Sequence, residues 1–286
     1  MVDSVPLDIA HLQAWIGKTE TRSDALTLAP VAALSATLDR DDPSPRPGDP
    51  LPAPWHWLYF LPVHRQSELG PDGHPVRGGF LPPVPLPRRM WAGSRLHFQR
   101  PLALGETLTR TSRIADVRHK EGRTGPLVFV LVRHEISNAQ GLALIEEHDI
   151  VYRDPARPSD VAPPAPTAPA CHAWERTIHA DEVLLFRYSA LTFNPHRIHY
   201  DRRYATGMEG YPGLVVHGPL IATLLLDLLR RSRPEARVSR FAFRAVSPLF
   251  DTAPFTVCGQ PEDGKTIRLW AKNSSGGLAM EATATC

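Results

Sequence analysis

The sequence predicts an α+β fold built from two similar halves, in each of which helices precede long antiparallel strands. Three observations carry this prediction. Closely spaced prolines divide the chain near its middle, strand-like segments separated by turns fill the end of each half, and one helix in the second half is apolar on nearly every side. Two halves with the same order of elements indicate a duplicated domain.

The composition is that of a globular protein without a strong charge bias. The 286 residues carry 32 basic and 30 acidic side chains, a formal net charge of +2, which gives no reason to expect nucleic acid or an anionic membrane as a partner. The three cysteines, Cys171, Cys258 and Cys286, fit neither a disulfide framework nor zinc-ligand spacing. Residues 1–10 lack the pattern of a secretory signal, and no apolar run is long enough to cross a membrane. We therefore expect a cytoplasmic protein.

In the first half, residues 1–153, two helices are predicted before four strands. Residues 8–16 form a short helix, and residues 23–38 form a longer one with an apolar face. Residues 41–87 are rich in proline but also in aromatic side chains, so we expect an ordered, irregular covering segment rather than a linker. The predicted strands are 94–99, 107–118, 127–137 and 142–152.

A proline-rich linker over residues 154–170 separates the halves, because successive prolines remove backbone donors and favour an extended chain. The second half, residues 171–286, repeats the order with helices over 180–191 and 218–231. The later helix must be buried, since it is apolar on almost all sides. The predicted strands are 238–245, 254–260, 266–272 and 277–285.

A curved antiparallel sheet wrapped around one buried helix is the hot-dog arrangement, and two tandem copies form a double hot-dog. In the second half, the helix over 218–231 would fill the sheet. The first half departs from this plan, because residues 81–87, LPPVPLP, cannot form a continuous helix. Its central helix would then be 23–38, and we predict a degenerate first copy beside a complete second copy.

The residues best suited to chemistry lie close together in the second half. Residues 188–205, YSALTFNPHRIHYDRRYA, are followed by His217 and Gly218 at the start of the buried helix. Histidine titrates near neutral pH, and the free N–H groups at a helix start favour negative charge. These groups are suited to moving a proton and stabilising an oxyanion.

This stretch resembles the signature of MaoC-like enoyl-thioester hydratases and dehydratases, also called hydratase-2 proteins. The residues that carry the resemblance are Tyr188, Ser189, Asn194-Pro195, His199, Asp201, Tyr204-Ala205 and His217-Gly218. The first half is similar to the amino-terminal half of double hot-dog mesaconyl-C4-CoA and itaconyl-CoA hydratases at 89–93, 100–102, 125–130 and 149–153. The resemblance covers nearly the whole chain. It implies a hydro-lyase that acts on an acyl-CoA thioester and needs no separate cofactor.

The chain departs from the family motif at its acidic residue. The family usually has an aspartate two residues before the Asn-Pro pair, where this chain has Thr192. It also has a histidine two residues after the proline, whereas the matching residue here is His199, after an insertion of two residues. The imidazole therefore lacks its usual acidic partner, and His196 becomes a second candidate.

We expect His199 to be the general base and the Gly218 amide to donate to the thioester oxygen. Asn194 and Thr192 could orient the water or the ring, although the Asn-Pro pair could instead simply end the preceding helix. His196 and His199 form an H-x-x-H pair, but no nearby cysteine or acidic cluster completes a metal site. We therefore expect no metal.

Five residues are expected beside the substrate. Tyr188 and His217 also have plainer interpretations, as a packing residue and as a residue that satisfies a carbonyl beside the helix. One of Arg88, Arg89 and Arg95 is expected to pair its planar guanidinium with the free carboxylate of a five-carbon dicarboxyl-CoA.

The predicted function is the reversible hydration of a branched, unsaturated dicarboxylyl-CoA, namely mesaconyl-C4-CoA or itaconyl-CoA, to citramalyl-CoA. Dehydration of 3-hydroxyacyl thioesters in fatty-acid metabolism, thioester hydrolysis and acyl-CoA binding without catalysis remain alternatives. We expect one site per chain at the junction of the halves, with the catalytic groups from the second half. The oligomeric state is open, with a homodimer as one option.

Overall fold

The computed structural model describes residues 7–122, 125–154 and 164–286. The α-helices in these residues are α1 (Ile9–Gln13), α2 (Leu28–Thr37), α3 (Glu182–Leu191) and α4 (Gly218–Ser232). The strands are β1 (Thr19–Ala25), β2 (Arg88–Phe98), β3 (Thr107–Gly122), β4 (Gly125–Asn138), β5 (Gly141–Arg153), β6 (Trp174–Ile178), β7 (Arg240–Ala245), β8 (Phe255–Pro261), β9 (Thr266–Asn273) and β10 (Leu278–Thr285).

These strands form one antiparallel sheet in the order β1-β3-β4-β5-β2-β7-β10-β9-β8-β6. The first half supplies β1 to β5 and the second half supplies β6 to β10, so the halves join where β2 pairs with β7. At this junction a Cβ on Gly93 would lie 2.5 Å from the carbonyl oxygen of Phe243. Glycine therefore lets the two halves approach closely.

The second half wraps its sheet around α4, as the apolar sequence of this helix predicted. Every residue from Leu220 to Leu229 is buried, and the helix contacts β6, β8, β9 and β10. Pro219 lies in the first turn, where a backbone N–H is not needed. The α+β prediction, with antiparallel sheets around central helices, is confirmed most directly in this half.

The first half covers its sheet differently, and the predicted helix over 23–38 is wrong at its start. Residues 19–25 form β1, an edge strand in which the Ser23 hydroxyl shares a hydrogen bond with that of Thr109 on β3. The alternating polar residues of β1 suit an exposed edge. The helix begins only at Leu28, and α2 contacts α3 of the other half.

The covering segment, residues 41–87, is ordered and irregular, as predicted. Its aromatic part is buried against the main core, including Trp55 and Tyr59. Val84 and Leu86, from the proline-rich stretch, pack with the valines of β4. Extended chain, and not the central helix predicted over 23–38, thus packs on these valines of β4.

The predicted linker over 154–170 falls mainly on residues 155–163, which lie outside the described residues. The backbone N–H of Ala168 donates to the carbonyl of Gly276, so the end of this stretch already belongs to the second half. No helix in the described part of the chain is long and apolar enough to cross a membrane.

Candidate active site

His199 lies in a short 3₁₀ turn after α3 and is buried. Its Nδ1 is 2.7 Å from the carbonyl oxygen of Val215. Because a carbonyl can only accept a hydrogen bond, Nδ1 must carry the proton, and Nε2 of the neutral ring keeps a free lone pair. Burial lowers the pKa of His199 to about 4, although the bond to Val215 opposes this shift. The ring is therefore a neutral base at neutral pH.

His217 stacks on His199, with ring centroids 3.7 Å apart and an angle of 18° between the planes. Its Nε2 shares a hydrogen bond of 2.8 Å with the Ser189 hydroxyl, and the Tyr188 ring meets it edge-on at 5.1 Å. Nδ1 of His217 has no hydrogen-bond partner among the described residues. Burial holds the pKa of His217 well below its usual value. Tyr188 is fully buried, which fits its plainer interpretation as a packing residue.

Gly218 is the first residue of α4 and directly follows the N-cap residue His217. The helix does not use the N–H groups of its first turn, and its dipole favours negative charge at this end. Since the His217 ring stacks on the His199 ring, the amide of its sequence neighbour Gly218 lies in the same part of the structure as the base. A base and an oxyanion donor are thus close together.

Thr192 and Asn194 make local hydrogen bonds. The Thr192 hydroxyl donates to the Tyr188 carbonyl at 2.8 Å, at the end of α3. The side-chain oxygen of Asn194 accepts from the His196 amide at 3.0 Å. Both side chains therefore shape the turn that carries the histidines, and a direct catalytic role for either remains a prediction.

His196 faces both His199 and a residue from the other half. The rings of His196 and His199 are perpendicular, with centroids 5.3 Å apart, while His74 of the covering segment lies 4.0 Å from His196 on its other side. Nδ1 of His74 is 3.0 Å from a carboxylate oxygen of Asp72. The structure thus adds Asp72 and His74 to the residues predicted from the sequence.

The sequence alone did not identify Asp72 and His74. Residues 71–74, Pro-Asp-Gly-His, carry the chemistry of a tight turn, so the turn itself was visible. The docking of this turn against residues 195–197 could not be predicted from the sequence, because the contact between Pro71 and Arg197 joins positions that are 126 residues apart.

Of the three candidate arginines, Arg89 faces the inside of the sheet. It pairs across strands with the fully buried Tyr152, and its charge adds to burial, the larger cause, in lowering the pKa of His74 and of His196. Arg88 forms an ion pair of 2.9 Å with Glu209.

Arg95 points to the outer face of the sheet, where it binds Glu147 at 2.8 Å and Asp149 at 2.6 Å. Its guanidinium is already occupied and half exposed. Among the described residues no carboxylate pairs with Arg89, so the structure favours Arg89 and argues against Arg95 as the clamp.

An aromatic wall from the first half adjoins the start of α4. A Cβ on Gly218 would lie 3.8 Å from the carbonyl oxygen of Trp91, whose ring lies 4.2 Å from that of His148 and 5.1 Å from that of Trp57. Behind this wall the buried carboxylate of Glu146 is 2.6 Å from Nε2 of His148 and accepts from the Trp57 indole at 2.9 Å. Side chains of the first half thus lie beside the start of α4, and their role as a substrate wall remains a prediction.

In each of two groups of three side chains, the atoms that could bind a metal ion lie within 4.8 Å of one another. In the first group, Asp72, His74 and His196, a direct hydrogen bond already joins the first two, and the Arg89 charge disfavours a cation nearby. In the second group, His172, Glu175 and Cys258, burial raises the pKa of the Cys258 thiol to about 11, which disfavours the thiolate form that binds metals. That no metal is used remains a prediction.

Comparison with known proteins identifies relatives of this chain. The model of the family described as hydroxyacyl-thioester dehydratase type 2 matches residues 54–251. A mesaconyl-C4-CoA hydratase of Chloroflexus aurantiacus is 49% identical over 276 residues, which cover 96% of this chain and 97% of that protein. The mitochondrial hydroxyacyl-thioester dehydratase type 2 of Schizosaccharomyces pombe is 30% identical, with 82% of this chain and 88% of that protein covered.

A solved structure gives the fold independently. A Mycobacterium tuberculosis protein described as having a double hot-dog fold superposes with a TM-score of 0.56 at 17% identity, over 94% of this chain and 96% of that one. The double hot-dog prediction is therefore confirmed. With the match over residues 54–251 and the 49% identical relative, the chain belongs to the hydroxyacyl-thioester dehydratase type 2 family.

Proposed function

We propose that the protein is a hydro-lyase that reversibly adds water to a branched, unsaturated dicarboxylyl-CoA, mesaconyl-C4-CoA or itaconyl-CoA, and forms citramalyl-CoA. The observation that carries the proposal is the bond from His199 Nδ1 to Val215, which leaves Nε2 as a free base beside the start of α4. The 49% identity to a mesaconyl-C4-CoA hydratase supports the choice of substrate class.

The proposed chemistry uses His199 and the amide of Gly218. For mesaconyl-C4-CoA, whose double bond joins the α- and β-carbons, Nε2 of His199 takes a proton from water while the water oxygen bonds to the β-carbon of the thioester. The electron pair of the double bond moves toward the thioester oxygen, where the amides at the start of α4 stabilise the negative charge. The α-carbon then takes the proton back from the His199 imidazolium, so water is added and the ring returns to its neutral state. Itaconyl-CoA would enter the same step only after its double bond has shifted to the position between the α- and β-carbons.

Arg89 is the proposed partner of the free substrate carboxylate. Its inward orientation and lack of a carboxylate partner among the described residues support this role. Replacing Arg89 with Gln should lower kcat/KM for mesaconyl-C4-CoA roughly 10- to 100-fold and leave crotonyl-CoA unaffected. Arg95→Gln is the matched control on the outer face, and equal losses on both substrates in Arg89→Gln would argue against a carboxylate clamp.

Dehydration of 3-hydroxyacyl thioesters is the second candidate, because the family description and the S. pombe relative carry that activity in their names. Mass spectrometry on mesaconyl-C4-CoA, itaconyl-CoA and crotonyl-CoA separates the candidates. A gain of one water that is fastest on the dicarboxylyl thioesters supports the proposal. A preference for crotonyl-CoA would favour the straight-chain dehydratase, and release of free CoA without a hydrated product would indicate a thioesterase. Location in the cytoplasm remains a prediction.

A further inference from the structure

The covering segment docks closely on the turn that carries the site histidines. Gly73 approaches so near that a Cβ would lie 1.9 Å from the carbonyl oxygen of Pro195. The Arg197 amide donates to the Asp72 carbonyl at 2.9 Å, and its guanidinium donates to the Pro71 carbonyl at 3.0 Å. This contact, which depends on glycine at 73, fixes a loop of the first half against the catalytic turn of the second.

The docked loop presents an oriented carboxylate to an imidazole. The two oxygens of Asp72 accept from the backbone N–H of His74 at 2.9 Å and from its ring Nδ1 at 3.0 Å. Although burial opposes it, the hydrogen bond from His74 holds the pKa of Asp72 well below its usual value. Asp72 is therefore ionised at neutral pH, and Nδ1 of His74 carries a proton.

Two neighbouring imidazole rings lie between Asp72 and the base. His74 lies against His196, with ring centroids 4.0 Å apart, and His196 lies 5.3 Å from His199. Burial and a charged His74 lower the pKa of His196, and the charge of Asp72 raises it. A charged His74 would also lower the pKa of His199, but burial lowers the pKa of His74 itself to about 4, so its ring is neutral at neutral pH and the charge of Asp72 is not cancelled. Thr192, at the position of the usual family acid, has no charge and bonds to the end of α3.

We propose that Asp72, acting through His74 and His196, supplies the carboxylate that the motif lacks at Thr192. The inference rests on the proposed function. During turnover His199 becomes an imidazolium when it takes the proton of water and becomes neutral again when the α-carbon receives that proton. Asp72 stays ionised throughout and stabilises the cationic state of this histidine group. Asp72 and His74 are thus positioning residues, held in place by the first half.

Asp72→Asn tests the charge with little change of shape, because the amide oxygen can still accept from the His74 backbone. We expect kcat to fall roughly 10- to 1,000-fold with KM unchanged. Asp72→Glu keeps the charge but lengthens the side chain, and its kcat should be at least tenfold higher than that of Asp72→Asn. Asp49→Asn is the matched control in the same segment, since Asp49 is exposed and its side chain bonds only to the Arg46 amide in the described structure. It should keep wild-type kcat.

The pattern among these variants decides the role. If Asp72 only shaped the loop, Asn would be tolerated better than Glu, and the loss would appear as a lower melting temperature or a raised KM. Either result, or full kcat in Asp72→Asn, overturns the proposal. Should Asp72→Asn fail to fold, His74→Gln is measured instead, with the half-exposed His64→Gln as its control.

Two further measurements separate the role of the Asp72 charge from the choice of substrate and from a requirement for a bound metal. All variants are compared on whichever thioester the wild type converts fastest, so failure on mesaconyl-C4-CoA would disprove the substrate and not the role of Asp72. Assays are repeated after dialysis against a chelator. Unchanged kcat supports a proton-transfer role, whereas a loss restored by Zn²⁺ would replace it with a metal site at the same side chains.

Discussion

At the scale of single residues, the acceptor that each imidazole faces determines what it can do. Nδ1 of His199 forms a hydrogen bond with a carbonyl, Nε2 of His217 forms one with a hydroxyl, and Nδ1 of His74 forms one with a carboxylate. The position of His199 followed from the sequence, because it lies on a recognisable motif. Its acceptor, Val215, did not, since nothing in the local sequence indicates which carbonyl a ring will meet.

The pH dependence of hydration should reflect the buried state of His199. Its pKa is about 4, so the ring is a neutral base above that pH and is protonated below it. We expect kcat/KM to be nearly constant between about pH 5 and pH 8 and to fall near pH 4. A fall centred near pH 6.5, the usual histidine value, would contradict this assignment.

Circular dichroism at each pH provides the control, because stability also changes in this range. The pKa values of His74 and His199, each about 4, lie below that of histidine in an unfolded chain. The unfolded state therefore binds more protons between about pH 4 and pH 6.5, and these groups make the fold less stable as pH decreases through that window. Rates are compared only where the spectrum is native.

At the scale of elements, the start of α4 offers a matched test of the oxyanion donor. Gly218→Ala keeps the amide, and apart from its chain neighbours and its own helix a Cβ there would meet nothing closer than 3.8 Å. Gly218→Pro removes the N–H, and His217, at φ −60° and ψ 130°, already has a backbone conformation suited to the residue before a proline. Both variants place a side chain before Pro219, so they share that steric cost. We expect the proline variant to lose roughly 100- to 1,000-fold in kcat and the alanine variant to stay near wild type. Equal rates in two folded variants would exclude this amide.

Strand β5 carries two neighbouring glutamates on opposite faces of the sheet, so replacing each in turn compares how much a buried and an exposed carboxylate contribute to stability. Glu146 is buried 2.8 Å from Nε2 of His56, whereas Glu147 pairs with Arg95 on the outer face. Although burial opposes it, the charges of His148 and His56 hold the pKa of Glu146 well below its usual value. Urea unfolding should show Glu146→Ala destabilised by about 3–5 kcal/mol and Glu147→Ala by about 0–1 kcal/mol. Similar losses in both would show that burial does not distinguish them.

Most strands could be predicted from the sequence, because period-two patterns of apolar residues mark β3, β4 and β5 between glycine-containing turns. Two edge strands could not. β1 is polar throughout, and β6 is only five residues long, so neither has an apolar pattern of its own. Both are defined by their neighbours, β3 and β8.

At the scale of the whole molecule, ion pairs and the shared sheet join the halves. Asp227 of α4 is buried and binds Arg40 of the first half at 2.6 Å, while Arg230 binds Asp42 at 3.1 Å. These contacts, like the β2–β7 pairing, connect residues that are far apart in sequence. The division into two halves could therefore be predicted from the sequence, whereas the contacts that join the halves could not.

The halves should therefore unfold together. Tryptophan fluorescence and circular dichroism should give one coincident thermal transition, because neither half keeps its contacts without the other. Asp227→Ala should destabilise the whole by about 3–5 kcal/mol without splitting that transition, since it removes the buried carboxylate that binds Arg40, Arg176 and Arg231. Glu281→Ala, at an exposed pair with Arg244, is the control. Two separate transitions in the wild type would contradict a single folding unit.

The central claim is that one site at the junction of the halves hydrates an enoyl-CoA with His199 as its base. The most direct test is the rate of water addition to mesaconyl-C4-CoA by the wild type, by His199→Ala and by His179→Ala, which alters an exposed histidine. We expect the first variant to lose roughly 100- to 10,000-fold in kcat while melting cooperatively, and the second to match the wild type. A folded His199→Ala protein that hydrates at the wild-type rate would contradict the claim.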